Sequence, residues 1–143
     1  MPGLKGTYVH SVDEKGRVTL PARLRELLGD RFVVTRGFDR CLFVYPEEGW
    51  EQLERKLDGQ PLGQSDARAF KRLFFASAGD AEPDRQGRVL LPQHLRDHAR
   101  IIREVVIVGV SERVEIWARE EWEEYSQPHV RDYDALGARL VGM

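Results

Sequence analysis

Two short stretches carry the side chains best suited to chemistry. One is Asp13-Glu14-Lys15-Gly16-Arg17-Val18-Thr19-Leu20-Pro21; the other is Asp84-Arg85-Gln86-Gly87-Arg88-Val89-Leu90-Leu91-Pro92. Each sets cations on and just beyond a tight turn: Lys15 and Arg17 in the first, Arg85 and Arg88 in the second. A guanidinium matches the O6/N7 edge of guanine, or a phosphate, through two parallel N–H bonds. These residue types at this spacing therefore point to recognition of a polyanion. Arg23 in the segment that follows, with Lys5, Arg25 and Arg96, adds charge suited to backbone phosphates. A second reading of Arg17 and Arg88 stands beside the first: an ion pair back to Asp13 or Asp84 that locks the turn.

Other chemistry finds little material. His94 and His98 stand at i, i+4, but no Cys or acidic cluster completes a zinc set with them, so a surface pair is expected. Asp13 and Asp84 each precede a turn, where a structural use is sufficient. There is no Gly-x-Ser-x-Gly, no Gly-x-x-x-x-Gly-Lys and no Gly-x-Gly-x-x-Gly. The sequence predicts no catalytic residue, no metal ligand, no cofactor and no small-molecule substrate, and so no enzyme.

The elements that must position the cations are written twice. In each stretch the Asp carboxylate can close a turn by accepting backbone N–H groups. The Gly, Gly16 or Gly87, supplies the positive φ such a turn needs. Val-x-Leu alternates as a short strand, and the Pro suits the first position of a helix. The two copies lie 71 residues apart in a chain of 143, and the likeness runs on: Leu24-Arg25 matches Leu95-Arg96. With one residue added, Gly37 aligns with Gly109, Val44-Tyr45 with Ile116-Trp117, and Trp50-Glu51 with Trp122-Glu123. A unit of about 45 residues is too small to hold a good core alone, so the halves are expected to share one.

In order, the patterning predicts strands at 6–12 and 17–20, a helix from Pro21 to Gly29, strands at 32–35 and 41–45, and a helix from Pro46. A linker covers 58–64, and Ser65-Asp66 is expected to cap a helix bearing Phe70, Leu73 and Phe74. The plan then repeats: strand 88–91, a helix from Pro92, strands at 105–108 and 114–117, and a helix with Trp122 and Tyr125. A tail from Pro128 places Tyr133, Leu136 and Leu140 at helical spacing.

Hydrophobic residues make up 41% and charged residues 32%, which fits a folded chain rather than a disordered one. Net charge is −2, yet it is unevenly placed. Residues 1–40 and 64–103 each carry 8 Lys/Arg against 5 Asp/Glu, while the stretches after them are acidic. A positive face on a mildly acidic body follows. The single Cys41 cannot form an internal disulfide and is expected to be buried and inert. No apolar signal core and no run near the ~20 residues of a membrane span are present, predicting a soluble, cytoplasmic protein without a membrane partner.

The chain resembles the MraZ family, bacterial proteins of two tandem SpoVT–AbrB-type swapped-hairpin domains. The residues that carry this are Gly6-Thr7-Tyr8 before His10-Ser11, Asp13-x-Lys15-Gly16-Arg17, and Phe74-Phe75-Ala76-Ser77-Ala78 before Asp84-x-x-Gly87-Arg88. The second copy departs from the first, with Arg85-Gln86 in place of Glu14-Lys15. The resemblance implies an α+β fold, mainly β with short helices, in which two pseudo-symmetric swapped-hairpin β-barrel halves share one core and a C-terminal helix follows. The expected units are residues 5–49 and 77–120, with a helical connector at 50–76 and a tail at 121–143. It further implies a transcriptional regulator, nucleoid-associated, assembling as a homo-oligomeric ring. Its partner would be double-stranded DNA, at short direct repeats upstream of the cell-division and cell-wall gene cluster. Lys15, Arg17, Arg23, Arg85 and Arg88 are the expected DNA contacts; Asp13, Gly16, Asp84 and Gly87 are the expected turn formers. The alternative is an antitoxin-like protein-binding module with a partner-wrapping tail.

Overall fold

The structure, a computed structural model, describes residues 3–142. The first half runs β1 (Leu4–Ser11), β2 (Arg17–Thr19), α1 (Ala22–Leu28), β3 (Phe32–Arg36), β4 (Leu42–Pro46) and α2 (Glu47–Asp58). After α3 (Ser65–Ser77), the second half runs β5 (Gly79–Ala81), β6 (Arg88–Leu90), α4 (Gln93–His98), β7 (Glu104–Ser111), β8 (Val114–Ala118) and α5 (Arg119–Arg131). A last helix, α6, spans Tyr133–Ala138. The class is α+β.

Six strands form one antiparallel sheet in the order β1-β7-β8-β4-β3-β5, and β2 pairs with β6 separately. Exchange each strand for its counterpart in the other half and the same order reads backwards, which is the mark of a pseudo-twofold. The axis passes where equivalent residues meet: Val18 opposite Val89 in the β2–β6 pair, and Phe43 opposite Glu115 between β4 and β8. The first strand of each half is swapped. β1 pairs with β7 from Leu4↔Ser111 to Ser11↔Glu104, and β5 pairs with β3. Neither lies beside the hairpin of its own half.

The core follows from this exchange. Leu4, Val18, Leu20, Leu24, Phe32 and Val44 from one half pack with Val89, Leu91, Leu95, Val105, Ile107 and Ile116 from the other in one buried cluster. The opposite face of the sheet carries Cys41, Phe43, Tyr45, Val106, Val108 and Trp117, covered by Trp50, Leu53, Phe70, Phe74 and Trp122 of the longer helices. The central strands are thus covered on both faces, which is why Phe32–Thr35, Val105–Val108 and Val114–Ala118 are buried without alternation.

Several expectations need correction. Strand β5 is not predicted by the patterning, because Gly79-Asp80-Ala81 has no apolar alternation; its pairing with Val34, Val33 and Phe32 makes it a strand. Ser65 does not cap α3: the helix begins at Ser65, Gln64 holds the cap position, and no side chain bonds the first turn. Pro128 does not end the preceding helix, because α5 continues through it to Arg131. Gly109 is not the counterpart of Gly37. It pairs with Val114 where Arg36 pairs with Leu42, so Arg36 is its equivalent. Gly109 is required for another reason: it faces Gly6, and a Cβ there would collide with the backbone of Leu4 and Lys5. His94 and His98 are not a simple surface pair. α4 packs on β3, leaving His98 half-buried while the His94 Nε2 lies 3.1 Å from the Ser77 carbonyl oxygen.

Candidate nucleic-acid interface

Each turn is built around its aspartate. Asp13 Oδ1 accepts the Lys15 N–H at 3.0 Å and the Arg17 N–H at 2.9 Å, and Oδ2 accepts Arg17 Nε–H at 2.9 Å. The Asp13 N–H donates to the Arg17 carbonyl at 2.8 Å, and the Gly16 N–H to the Asp13 carbonyl at 3.0 Å. Asp84 repeats the set: Oδ1 accepts from the Gln86 and Arg88 N–H groups and Oδ2 from Arg88 Nε, all at 2.9 Å. Gly16 and Gly87 sit at φ 87° and 78°, in the left-handed region that a Cβ disfavours.

The backbone N–H of Arg17 is the main cause holding the Asp13 carboxyl below its ordinary value of 3.8, with the Arg17 side chain and the Lys15 N–H adding to it. Asp84 is lowered in the same way by the Arg88 N–H first. A depressed carboxylate pKa stabilises the fold above the unfolded value and loses that contribution as pH falls through the folded one. The melting-temperature difference between the native protein and an Asp13→Asn variant is therefore expected to stay flat from pH 7 to 5. It should shrink only below 3.8. A gap that persisted to the lowest pH, or closed above 5, would contradict this account of the turn.

The two turns meet. The Leu20 N–H donates to the Gly87 carbonyl at 3.0 Å and the Leu91 N–H to the Gly16 carbonyl at 2.9 Å, flanking the β2–β6 ladder. Arg17 lies opposite Leu90 and Arg88 opposite Thr19, so both stand on the face of the ladder turned away from buried Val18 and Val89, with Lys15 and Arg85 on the turns at its two ends. Lys15 and Arg85 are exposed, and among the described residues neither side chain makes a hydrogen bond or ion pair. Arg17 commits only Nε to Asp13, and among the described residues its two Nη groups have no protein partner. Arg88 differs, since its Nη2 also donates to Gln86 Oε1 at 2.8 Å. The turn-locking ion pair and a free cationic edge are thus compatible at Arg17, and less so at Arg88. Arg23, on the first turn of α1, pairs at 3.3 Å with Glu26, both side chains well exposed.

Arg25 and Arg96, expected from the sequence only to add charge for backbone phosphates, are each fixed on a backbone carbonyl. Arg25 Nε donates to the Leu20 carbonyl at 3.0 Å, and Arg96 Nε to the Leu91 carbonyl at 2.8 Å. Each guanidinium lies over the turn glycine of the other half: a Cβ on Gly16 would stand 2.8 Å from Arg96 Cζ, and one on Gly87 would stand 2.6 Å from Arg25 Cζ. Among the described residues neither has a carboxylate partner. Their matched places in the repeat were the available signal.

Elsewhere the polar groups serve packing. Glu115 is buried but accepts from Arg113 at 2.7 Å and from Trp117 Nε1 at 3.0 Å, and Arg113 lies 4.1 Å above the Phe43 ring. Cys41 is fully buried, and burial drives its thiol pKa upward, away from the reactive thiolate. Among the described residues no His, Cys, Asp or Glu cluster fits a metal ion, and no helix is long and apolar enough to cross a membrane.

A family profile described as "MraZ protein, putative antitoxin-like" matches residues 4–73 and again 74–142. Proteins called transcriptional regulator MraZ from Moorella thermoacetica and Caldanaerobacter subterraneus subsp. tengcongensis are 54% and 55% identical over 95% and 96% of this chain, and over the same shares of their own. That of Thermoanaerobacter pseudethanolicus is 56% identical over 96% of each. Fold, face and relatives together define a transcriptional regulator built from two tandem units. The chain belongs to the MraZ family.

Proposed function

We propose that this protein is a sequence-specific regulator that grips double-stranded DNA with the two turns that flank its β2–β6 ladder. The observation that supports it best is the set of cations on those turns: among the described residues Lys15 and Arg85 are exposed and unpaired, and Arg17 keeps a free Nη edge on a turn closed by Asp13. A guanidinium presented that way can take guanine or phosphate in two parallel bonds. Arg88 and Arg23 are placed to add phosphate contacts, while Asp13, Gly16, Asp84 and Gly87 hold the turns in shape. The body carries the excess acid, so a net charge of −2 does not oppose this reading.

Family membership supports the finer parts of the proposal. The protein works as a closed homo-oligomeric ring, nucleoid-associated in the cytoplasm. It binds short direct repeats upstream of the cell-division and cell-wall gene cluster and has no catalytic activity. The units are residues 5–49 and 77–120, with 50–76 as helical connector and 121–143 as tail. The antitoxin-like alternative requires an extended wrapping tail, whereas the described C-terminal residues form α5 and α6.

The test is to incubate the purified protein with sheared genomic DNA of its source and sequence what it retains. The expected result is enrichment of one short repeated motif. Retention of no DNA, or of fragments without a common motif, would overturn the proposal.

A further inference from the structure

We propose that Arg25 and Arg96 are positioning residues that act across the pseudo-twofold, each holding the DNA-reading turn of the other half. The inference rests on the reading of the turns as the DNA contact, but its structural part can be tested without DNA.

The geometry is a crossed brace. Arg96 belongs to α4 in the second half, yet its guanidinium covers Gly16, the pivot of the first turn. Its Nε is fixed on the Leu91 carbonyl, and the Leu91 N–H donates to the Gly16 carbonyl. Arg96, Leu91 and Gly16 thus close a small loop that ties α4 to the turn bearing Lys15 and Arg17. Arg25 of α1 closes the mirror loop through Leu20 and Gly87. A brace of this kind needs three things, and all are present. The cation is not drawn off by a carboxylate, since neither arginine has one among the described residues. The guanidinium occupies the space that a side chain on the turn glycine would need. Both ends of each loop are anchored on backbone carbonyls rather than on mobile side chains.

The crossing has a specific consequence: damage at one position should show in the turn far from it in sequence. Loosening a base-reading turn erodes discrimination, because bidentate contact depends on a fixed approach. It leaves the count of phosphates neutralised unchanged, so the salt dependence of binding to random DNA should not move.

The experiment is amide hydrogen exchange on the full-length Arg96→Met and Arg25→Met proteins, followed by binding to a duplex carrying the motif enriched in the retention experiment and to a scrambled duplex. In Arg96→Met the Lys15 and Arg17 amides are expected to exchange about tenfold faster, the equivalent of one lost hydrogen bond, while the Gln86 and Arg88 amides change little. Arg25→Met should give the reverse pattern. Preference for the motif should fall at least about fivefold in Arg96→Met. Its salt slope on the scrambled duplex should stay that of the native protein; a slope lower by about 0.9 would make Arg96 a phosphate contact and overturn the positioning role. Faster exchange in the variant's own half, or in neither turn, would overturn the crossed brace whatever happens with DNA. Crossed exchange with no DNA preference in the native protein would instead count against the DNA reading alone. If Arg96→Met does not fold, Arg96→Lys decides. Lysine keeps the charge and can reach the Leu91 carbonyl but lays no plane over Gly16, so the first-turn amides should still quicken, and unchanged exchange would reject the brace.

Discussion

Residues 1–62 expressed alone are expected to give no cooperatively unfolding monomer. Removing the second half strips β1 of all eight residues it pairs with on β7, and β2 of its partner β6. Of the sheet only the β3–β4 hairpin remains, and a lone two-stranded hairpin is marginal in water. The core suffers equally. Val18, Leu20, Leu24 and Phe32 are all buried against residues from both halves. Re-exposing such side chains costs about 1.5–3 kcal/mol each, and a typical fold has only ~5–15 kcal/mol to lose. Denaturant unfolding with analytical ultracentrifugation checks this. Aggregate, dimer or unstructured chain is the expected outcome, and a stable monomer with a sharp transition would show that the common core is dispensable.

Arg17→Ala is expected to weaken binding to the enriched DNA motif far more than Arg88→Ala, with little change in melting temperature for either. The free Nη edge of Arg17 would supply a two-bond base contact, whose loss costs about 1–3 kcal/mol per site. In an assembly gripping several repeats, that loss is compounded through avidity. Arg88 already spends Nη2 on Gln86, so less of its binding capacity is lost on truncation. The fold should tolerate both changes because each Asp–Arg pair lies at the surface, where such pairs contribute little. Titrations against motif and scrambled duplexes at several salt concentrations separate the roles. Normal motif binding by Arg17→Ala would remove it from the site, and early melting would make the lock to Asp13 its main task.

The repeated turn was the most legible part of this chain. Asp, Gly and Arg at fixed spacing act through bonds of two to four residues' reach, so local sequence alone determines them. The strands β3, β4, β7 and β8 were legible for a similar reason, because their runs of Val, Ile, Phe and Trp admit few other uses. What escaped depends on residues far away in sequence. Gly79-Asp80-Ala81 becomes a strand only because β3 offers it an edge. Gly109 is glycine because the backbone at Leu4 and Lys5 runs against it, a contact between the two halves of the chain. Arg25 and Arg96 looked like generic surface charge, since nothing near them in sequence reveals that each rests on the other half's turn.

The Gln86–Arg88 bond has a consequence for direction. A dimer of identical half-units looks the same whichever way a duplex enters it, and its preferred target is a palindrome. Here both halves sit in one chain, and one turn offers a bare lysine where the other offers a glutamine that occupies its own arginine. The molecule therefore has a head and a tail along any duplex laid across it. Copies set side by side in the same orientation would each meet a site facing the same way, which is the arithmetic of a tandem array rather than of a mirror-image one.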